Sequence, residues 1–373
     1  MNQTIKAFAT KASPVFDALE QAGHNAWLVG GCVRDLLLGE QPKDIDLATD
    51  ATPEVAQAAY EATGLKVFAT GLQHGTLTVV ANGEVFEVTT LRTETDHDGR
   101  HANVAWTTSL EEDLQRRDLT INAMAATRTG KIIDPFNGAE DLANGVVRFV
   151  GDAETRIVED YLRILRFFRF HTRFAGEAEP NAEALEAIQK QCEGLKTISV
   201  ERIWSEMQKI IIHPAGAHIG VDMTFCGLME NMPFGLFYHN RHHYAIEQGV
   251  TNPAIMLAYI MKQDDAPKLN WSREEEKAFA FAKARHFYSM EKAKRDLADG
   301  FPRPWVEDAA RFSNVSLGDW EAPAFPVEGK DLVKAGMPPG PAIGDALRKM
   351  RDAWAASDYT LTKGDLLKAV APR

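Results

Sequence analysis

The sequence predicts an α/β domain in the first third of the chain, followed by a remainder that is helical to its end. Short, closely spaced runs of β-branched and aromatic residues, which are typical of strands, occur between residues 26 and 135. Beyond residue 150 the apolar residues recur at helical spacing instead. The length of 373 residues allows two to three domains, so a head of one class and a remainder of another are expected.

The first helices of this domain are marked by a capping residue followed by proline. Ser13 and Thr52 each precede a proline, and glycine closes the two segments at Gly23 and Gly64. Proline is favoured at the first position of a helix and glycine just after the last. We therefore predict that Ser13 and Thr52 cap two helices.

Residues 27–50 contain the pattern around which the domain is organised. An apolar strand end leads to Gly30 and Gly31, then to a short apolar helix carrying Arg34, and then to a second strand holding Asp44 and Asp46. Residues two apart in a strand point to the same face, so the two carboxylates project together. Their repulsion becomes attraction when a divalent cation binds between them, and oxygen ligands of this kind suit Mg²⁺ or Mn²⁺.

The paired glycines leave room for a bulky anion, and the helix that follows offers free N–H groups. Together with the two aspartates they predict a triphosphate held over metal ions. A glycine pair that marks only a tight turn, followed by a solvated strand end, is the alternative. The combination of G-G-x-x-R-D with D-x-D on a strand favours the first interpretation.

Three more strands are predicted at residues 66–69, 75–81 and 84–91, with a tight hairpin turn at Asn82-Gly83. Glu87 lies in the middle of the third strand. An acid there is usually on the solvated face. The alternative is that Glu87 lies beside Asp44 and Asp46 as a third carboxylate, positioning a metal ion or accepting a proton from an attacking hydroxyl.

The segment 92–113 is polar, contains Asp98-Gly99-Arg100, and predicts a long mobile loop that ends in a short strand at 103–106. The sequence RRDLTINAMAA follows and contains Arg117 and Asp118. A last strand is predicted at 131–135.

Residues 156–174 predict one amphipathic helix. Its apolar stripe consists of Ile157, Val158, Tyr161, Ile164, Leu165 and Phe168. Asp160, Arg163, Arg166 and Arg169 follow one another at three-residue intervals on the opposite face, together with Phe167 and Phe170. A solvated face with weak ion pairs is one interpretation. The phenylalanines and the excess of arginine favour a buried or groove-lining face.

The rest of the chain is predicted to be helical, beginning with a helix over 199–211 capped by Ser199. Breaks rich in proline and glycine occur at 300–304 and 321–326. His239, His242 and His243 have no accompanying metal-ligand pattern, so we predict that they lie in a solvated loop.

Composition limits the cellular setting and the partners. Three widely spaced cysteines without a C-x-x-C motif indicate a reducing compartment. The sequence contains neither a signal-peptide core nor a membrane-spanning run. A cytoplasmic protein that binds no membrane is therefore expected. The net charge of −12 argues against non-specific binding to nucleic acid, but acidic clusters elsewhere leave room for a local basic groove.

An ordered series of motifs now becomes visible over residues 27–206. It consists of LVGGCVRDLLLG, KDIDLATD, GLQHGTLTV, FEVTTLR, DGRHANV, RRDLTINAMA, DPFNGAEDL and EDYLRILRFFRF. This series resembles the successive motifs of the class II tRNA nucleotidyltransferase and poly(A) polymerase family, most of all its bacterial CCA-adding members. A second stretch, GKDLVKAGMPPGPAIGDAL at 329–347, is similar to the tail domain of that family.

The resemblance implies a seahorse-like molecule with a polymerase-beta-type head and an all-α neck, body and tail. The corresponding segments are a catalytic head at 1–138, a base-recognising neck at 139–215, and a body at 216–302 and tail at 303–373 that bind tRNA. The implied activity is addition of C, C and A to tRNA 3′ ends from CTP and ATP, with release of pyrophosphate and no nucleic-acid template. Its partners are tRNA, CTP and ATP, and the oligomeric state stays open.

The resemblance also implies roles for individual residues. Asp44 and Asp46 would hold two Mg²⁺ ions about 3.5–4 Å apart, assisted by Glu87. Gly30, Gly31 and Arg34 would bind the triphosphate, with Arg117, Asp118, Arg166 and Arg169 also at the nucleotide.

Asp160 and Arg163 match the base-reading pair of the family. A carboxylate that accepts from an amino group and a guanidinium that donates to a ring nitrogen would admit cytosine and adenine alike. Uracil or guanine would mismatch both groups, at about 1–3 kcal/mol per group.

Three alternatives remain at this stage. They are a poly(A) polymerase or an A-adding partner enzyme of the same family, a catalytically idle tRNA-binding protein, and a small-molecule nucleotidyltransferase. Residues 93–109 resemble the flexible loop of family members that add the terminal A. We expect that replacing residues 98–101 with a Gly/Ser linker spares CTP addition and impairs ATP addition.

Overall fold

The computed structural model describes residues 2–71, 75–95, 103–262, 269, 271–285 and 287–370. These residues form two compact units. The first comprises Met1–His243 and Ile260–Trp271, and the second comprises Tyr244–Tyr259 and Ser272–Arg373. The four segment boundaries inferred from the family stay a prediction.

The first unit contains a seven-stranded mixed sheet and a separate two-stranded hairpin. The strands are β1 Ala26–Val29, β2 Ile45–Thr49, β3 Lys66–Gly71, β4 Thr76–Ala81, β5 Glu84–Thr90, β6 Arg92–Thr95, β7 Asn103–Trp106, β8 Ala125–Ala126 and β9 Ile132–Ile133. The sheet order is β3-β4-β5-β2-β1-β8-β9, and β6 pairs with β7. Strands β2 and β5 run parallel, whereas the other pairs are antiparallel.

Helices pack around this sheet and continue beyond it. Those of the head are α1 Gln3–Ala9, α2 Ser13–Gln21, α3 Gly31–Leu37, α4 Pro53–Ala62, α5 Leu110–Gln115 and α6 Gly138–Ala143. They are followed by α7 Ala153–Glu159, α8 Arg163–Phe174, α9 Ala182–Gln191, α10 Val200–Ile211, α11 Gly216–Phe225 and α12 His239–Glu247. The α/β head and helical remainder are therefore confirmed.

The helices that follow α12 in the chain are α13 Pro253–Ile260, α14 Arg273–Lys283, α15 Met290–Ala298, α16 Arg303–Phe312, α17 Gly329–Lys334, α18 Pro341–Ala356 and α19 Lys363–Val370. Near the C-terminus, Leu332, Met350, Trp354 and Leu366 form one apolar cluster. In the described part of the chain, no helix is both long and apolar enough to cross a membrane.

The predicted hairpin between β4 and β5 is confirmed. Asn82 and Gly83 have φ angles of 54° and 80°, which is the left-handed conformation that a two-residue turn of this kind requires. Apolar residues alternate along β4, where Leu77, Val79 and Ala81 are buried. This alternation fixes which face of β5 is packed and which is open.

The prediction of one helix over residues 156–174 is wrong. Helix α7 ends at Glu159, and Asp160 has extended backbone angles of φ −154° and ψ 105°. The Asp160 carboxylate accepts the N–H of Leu162 at 3.1 Å, and its carbonyl accepts the N–H of Arg163 at 2.9 Å. An aspartate side chain that bonds to nearby backbone competes with helix continuation, so the chain restarts as α8.

The same break corrects the predicted apolar stripe. Val158 is 42% exposed, whereas Ile157, Ile164, Leu165 and Phe168 are buried. Phe167, predicted to lie among the arginines, is fully buried and stacks on Phe149. A single helical wheel cannot describe two helices that a residue with extended backbone angles separates.

The described residues of the predicted loop over 92–113 form two strands and a helix. Strand β6 pairs with β7 from Arg92–Trp106 to Thr95–Asn103, and Ser109 caps α5 by accepting the N–H of Glu112. The predicted strand at 103–106 is confirmed. Asp98, Gly99, Arg100 and His101 lie outside the described residues.

Three predicted caps differ in detail. Helix α2 begins at Ser13 itself, with Ala12 in the cap position. Thr52 and Ser199 do occupy the cap positions of α4 and α10, but within the described part of the chain their side chains make no capping hydrogen bond. Proline after Thr52 supplies the helical φ angle without that bond.

The prediction of a loop for the three histidines is also wrong, although His243 is exposed as predicted. They begin helix α12, and His242 is buried, with its Nε2 2.7 Å from the carbonyl oxygen of Ile211. Burial lowers the pKa of His242 to about 4, so its imidazole is neutral and donates to that carbonyl. The sequence motif alone does not reveal this, because burial depends on residues that are distant in the chain.

Candidate active site

A polar cavity of about 740 Å³ in the first unit brings the sheet and the helices α8 and α10 together. It is lined by Gly31, Arg34, Asp44, Asp46, Arg92, Arg116, Arg117, Asp118, Asn122, Asp160, Leu162, Arg163, Arg166, Arg169, Phe170 and Arg202. The list contains most of the site residues predicted from the sequence. Gly30 and Glu87 are not in the lining itself, but Gly30 immediately precedes the lining residue Gly31, and Glu87 is the strand neighbour of the lining residue Asp46.

The two aspartates and Glu87 meet at one place on the sheet. Asp44 comes just before β2, and Asp46 is the direct neighbour of Glu87 in the parallel pairing of β2 with β5. Burial, then the charge of Glu87, and more weakly that of Asp44, raise the pKa of Asp46 to about 6, although Arg117 opposes the shift. Asp46 is half-buried, whereas Asp44 and Glu87 beside it are exposed, and a cation would relieve the repulsion among the three acids.

Gly30 and Gly31 provide the turn from β1 into α3. Gly30 has φ +66°, and a Cβ atom there would lie 2.5 Å from Nη1 of Arg117. A side chain at this position would therefore be strained and would displace Arg117. Gly31 lines the cavity, and a Cβ on it would lie 3.3 Å from Nη2 of Arg34.

Arg34 is buried and is held from several sides. Its Nε and Nη2 donate to Asp35 at 3.0 and 2.8 Å, and its Nη1 donates to Asn122. The guanidinium also lies over the ring of Phe170 at 5.2 Å and that of Phe174 at 4.7 Å. Burial lowers the pKa of Arg34, and Asp35 opposes the shift.

Arg117 lies across the glycine turn. It donates to the carbonyl of Asn122 and to Asp113, both at 3.3 Å. Its Nε is buried and has no hydrogen-bond partner among the described residues. A buried donor without a partner is costly, and an anion at this position would satisfy it.

Asp118 anchors Arg166. The Asp118 carboxylate accepts from Nε of Arg166 at 2.6 Å, from the N–H of Leu119 at 2.9 Å and from Asn122 at 3.2 Å. Burial alone would raise the pKa of Asp118, but Arg166 and these hydrogen bonds lower it below its usual value. Asp118 therefore orients an arginine of the cavity wall.

Three arginines make cation–π contacts with the ring of Phe170. Arg34, Arg166 and Arg169 lie 5.2, 5.5 and 4.3 Å from its centroid. Arg169 also pairs with Glu206 of α10, with Nε 3.0 Å from Oε2. The cavity wall thus consists of guanidinium groups that an aromatic ring and buried acids hold in place.

Asp160 and Arg163 lie at the break between α7 and α8. Oδ2 of Asp160 accepts from Arg202 of α10 at 2.8 Å. Arg163 donates to Glu159, to the carbonyl of Arg156 at 2.9 Å and to that of Arg116 at 3.2 Å. The structure brings both residues into the cavity wall, although they come from the break rather than from one helical face.

Sequence reasoning missed several residues that shape this cavity, among them Asn122, Asp113, Arg202 and Glu206. Asn122 bridges Arg34 and Asp118, Asp113 pairs with Arg116 and Arg117, and the other two reach α8 from α10. For Arg202 and Glu206, the available signal was the polar face of the predicted helix over 199–211. That signal does not tell which helix the face would meet.

Within the described residues, no group of three or more histidine, cysteine or acidic side chains could hold a metal ion by itself. Mg²⁺ does not require such a group, because it is usually bound by one or two carboxylates together with water and substrate phosphates. Asp44 and Asp46 offer two such carboxylates beside the cavity.

Comparisons with known proteins agree with this geometry. The family described as a poly A polymerase head domain matches residues 26–148, and the one described as a probable RNA and SrmB- binding site of polymerase A matches residues 179–235. The chain is 36% identical over 380 residues to CCA tRNA nucleotidyltransferase 1, mitochondrial, of Danio rerio, covering 92% of this chain and 86% of that protein. It is 32% identical over 376 residues to the CCA-adding enzyme of Lactobacillus helveticus, covering 93% of each.

A solved structure gives the same result. The Bacillus stearothermophilus CCA-adding enzyme in complex with CTP has a TM-score of 0.79 and 29% identity, covering 99% of this chain and 97% of that one. The fold and the cavity therefore define a nucleotidyltransferase. The chain belongs to the class II tRNA nucleotidyltransferase and poly(A) polymerase family.

Proposed function

We propose that this protein adds C, C and A to the 3′ ends of tRNA from CTP and ATP, with release of pyrophosphate. The observation that carries the proposal is the single cavity of about 740 Å³ in which Asp44 and Asp46 face the arginines of α8. A nucleotidyl transfer needs a cation site, a triphosphate site and a base site within one nucleotide length. The relatives that the chain resembles over most of its length are CCA-adding enzymes.

Asp44 and Asp46 would hold the divalent cations of the reaction, with Glu87 beside them. The crowding that raises the pKa of Asp46 to about 6 fits this assignment, because a bound cation removes the repulsion. When bound, such ions lower the pKa of the attacking hydroxyl and neutralise charge on the leaving pyrophosphate. Mg²⁺ or Mn²⁺ suits this oxygen donor set.

The triphosphate would lie along Gly30, Gly31, Arg34 and Arg117. Gly31 gives backbone access, and the buried Nε of Arg117 offers a donor that has no protein partner among the described residues. Arg34 contributes charge from a guanidinium that Asp35 and Asn122 hold rigidly. A fixed cationic wall lowers the cost of reorganisation when charge moves to the leaving group.

Asp160 and Arg163 would read the base. The Asp160 carboxylate already accepts from Arg202 and from Leu162, and a carboxylate has further lone pairs with which to accept a base amino group. Arg163 is bound to Glu159 and to two backbone carbonyls, which fixes its plane. Uracil and guanine would place a carbonyl oxygen against Asp160, so both are excluded by repulsion.

The test is single-nucleotide extension. Purified protein is incubated with tRNA transcripts lacking all three, the last two or only the last nucleotide of the CCA end, with each nucleoside triphosphate alone. The proposal requires C on the first two transcripts and A on the third. Repeated addition of A to any RNA would indicate a poly(A) polymerase, and addition only of the last A would indicate an A-adding partner enzyme. Binding without addition would indicate an idle tRNA-binding protein.

A further inference from the structure

Asn122 connects charged groups of the candidate active site that lie apart in the chain. It is 7% exposed and lines the cavity of about 740 Å³ from a short 3-10 helix, Thr120–Asn122. Its Oδ1 accepts from Nη1 of Arg34, and its Nδ2 donates to Oδ1 of Asp118 at 3.2 Å. Its backbone carbonyl accepts from Nη1 of Arg117 at 3.3 Å. Asn122 therefore contacts two arginines and one acid of the site.

The chemistry of these neighbours restricts which side chain can stand between them. An arginine only donates hydrogen bonds, and an ionised carboxylate only accepts them. A side chain between Arg34 and Asp118 must therefore accept on one side and donate on the other, as an amide does. Asn122→Asp would remove the donor, and Asn122→Leu would remove both groups. The same reasoning fixes the orientation of the amide, because the reverse orientation would oppose two donors and two acceptors.

The hydrogen bonds of the amide are part of a closed circuit of side chains. Asp118 accepts from Nε of Arg166 at 2.6 Å, and the Arg166 guanidinium lies 5.5 Å from the ring centroid of Phe170. The Arg34 guanidinium lies 5.2 Å from the same centroid. The circuit therefore consists of Arg34, Asn122, Asp118, Arg166 and Phe170. Arg166 and Phe170 belong to α8, so the circuit joins that helix to the glycine turn before α3.

Both side-chain partners of the amide also have supports of their own. Nε and Nη2 of Arg34 donate to Asp35 at 3.0 and 2.8 Å, and Asp118 accepts the N–H of Leu119 at 2.9 Å. Loss of the amide should therefore leave each partner within the fold and remove the link between them. That link sets the separation between the guanidinium groups of Arg34 and Arg166.

We infer that Asn122 is a positioning residue for the nucleotide, because it holds Arg34 at a fixed distance from helix α8. The inference rests on the proposed function, in which Arg34 binds the triphosphate and Arg163, the first residue of α8, reads the base. A nucleotide that contacts both places binds tightly when their separation already matches its length. Asn122 acts through Arg34 and Asp118 and does not itself contact the reacting atoms.

A reciprocal exchange of amide and carboxylate tests this link. Asn122→Asp opposes two acids, and Asp118→Asn removes the charge that holds Arg166. The double variant Asn122→Asp/Asp118→Asn again contains one carboxylate and one amide, in the opposite order. Its new carboxylate can accept from Arg34 and from the new amide, whose oxygen can accept from Arg166.

Equilibrium binding of CTP in the absence of tRNA is measured by calorimetry, well below the melting temperature of every variant. Each single variant should bind CTP about tenfold more weakly than the wild type, because a hydrogen bond to a charged group is lost. The double variant should recover to within about threefold of the wild type, since neighbouring changes in one network are not additive. Affinity for ATP should follow the same order.

Asn25 provides the matched control. Its Nδ2 donates to Oδ2 of Asp50 at 2.7 Å, just before β1, and it is not among the described residues that line the cavity. Asn25→Asp therefore opposes two acids in the same way as Asn122→Asp, but away from the nucleotide. It should bind CTP with the wild-type affinity, even if its melting temperature falls.

Two results would overturn the inference. One is that Asn122→Asp binds CTP as tightly as Asn25→Asp. The other is that the double variant binds CTP no better than Asp118→Asn, which would give Asn122 a role in the fold only. This second comparison decides the matter alone if Asn122→Asp does not fold. A wild-type protein that binds CTP but extends no transcript would refute the proposed function, and the CTP affinities of the variants would still test the link.

Discussion

Two sets of carboxylates surround the candidate active site, and they differ in their partners. Asp44, Asp46 and Glu87 form no ion pair with any described residue, whereas Asp113 and Asp118 are bound to Arg116, Arg117 and Arg166. The pKa of Asp46 is raised to about 6 by burial and by its acidic neighbours. The pKa values of Asp113 and Asp118 are lowered, because arginines outweigh the effect of burial.

This contrast separates two uses of one residue type. An acid that is already paired holds an arginine in place and gives stability. An acid crowded against other acids costs stability unless a cation binds, so it is retained for function. The following predictions test whether the open set and the paired set behave in these opposite ways.

The largest effect is expected for the open set. Asp46→Asn should reduce CTP incorporation by at least 10³-fold, equivalent to about 4 kcal/mol, because the cation loses a ligand. Affinity for tRNA should change by less than about 1 kcal/mol, since most RNA contacts are to phosphates. Asp44→Ala should behave likewise. The control is Glu84→Gln, at the start of the same strand as Glu87 but on its other face. Retained activity in both aspartate variants would remove the cation assignment.

The next effect is expected for the paired set. Asp118→Asn leaves the half-buried Arg166 without its acid, which should reduce the free energy of unfolding by about 2 kcal/mol, less than for a fully buried pair because solvent reaches a third of the Arg166 side chain. Urea denaturation would measure this change. The double variant Asp118→Asn/Arg166→Met should recover part of the loss, because the unpaired charge is gone. A single variant as stable as the wild type would show that the pair does not anchor the arginine.

The third prediction concerns the free energy of unfolding, which should rise when an acid of the open set is removed, whereas it should fall for the paired set. Since the folded pKa of Asp46 lies above its unfolded value, the unfolded state releases the proton first as pH rises from about 4 to 6. Ionisation of Asp46 then disfavours folding at every pH above 6. In EDTA, Asp46→Asn should therefore be more stable than the wild type by about 2 kcal/mol at pH 8. The difference should disappear below pH 4. Denaturant titrations at pH 8 would measure this difference. If the two proteins were equally stable, the repulsion between Asp46 and its acidic neighbours would be contradicted.

The smallest effect is expected at the base end of the cavity. Asp160→Ala should raise the use of UTP and GTP relative to CTP and ATP about tenfold, equivalent to about 1.4 kcal/mol, because the repulsive acceptor is gone. Arg202→Met should weaken the same discrimination, because Arg202 orients the carboxylate. Competition assays with mixed nucleotides would measure both. A general loss of rate with unchanged base preference would assign Asp160 a structural role only.

Local signals in the sequence predicted much of the head. The Asn82-Gly83 hairpin follows from rules that span a few residues, and so does the expectation that Asp44 and Asp46 project together; both line one cavity, although Asp44 precedes β2. The position of Glu87 beside Asp46 does not follow from such rules. It depends on the parallel pairing of two strands that are about 40 residues apart in the chain, and the family resemblance was needed to predict it.

The predictions that were wrong or missing have a common physical cause. The break at Asp160 depends on a side chain that bonds its own backbone, which competes with a helix that the apolar pattern favours equally well. The burial of His242 and the pairing of Arg202 with Asp160 depend on which helices meet, and a single periodic pattern does not contain that information. Such contacts are decided by tertiary structure.

The path of the chain restricts how the protein can be divided. The first unit is completed by Ile260–Trp271, which the chain reaches only after passing through the second unit. The N–H of Tyr238 donates to the carbonyl of Ile260 at 2.6 Å, that of Lys262 donates to Leu236 at 3.0 Å, and Trp271 packs on Trp204. A fragment ending at residue 243 would lack all of these contacts. Recombinant catalytic fragments should therefore retain the chain through Trp271, with residues 244–259 replaced by a linker.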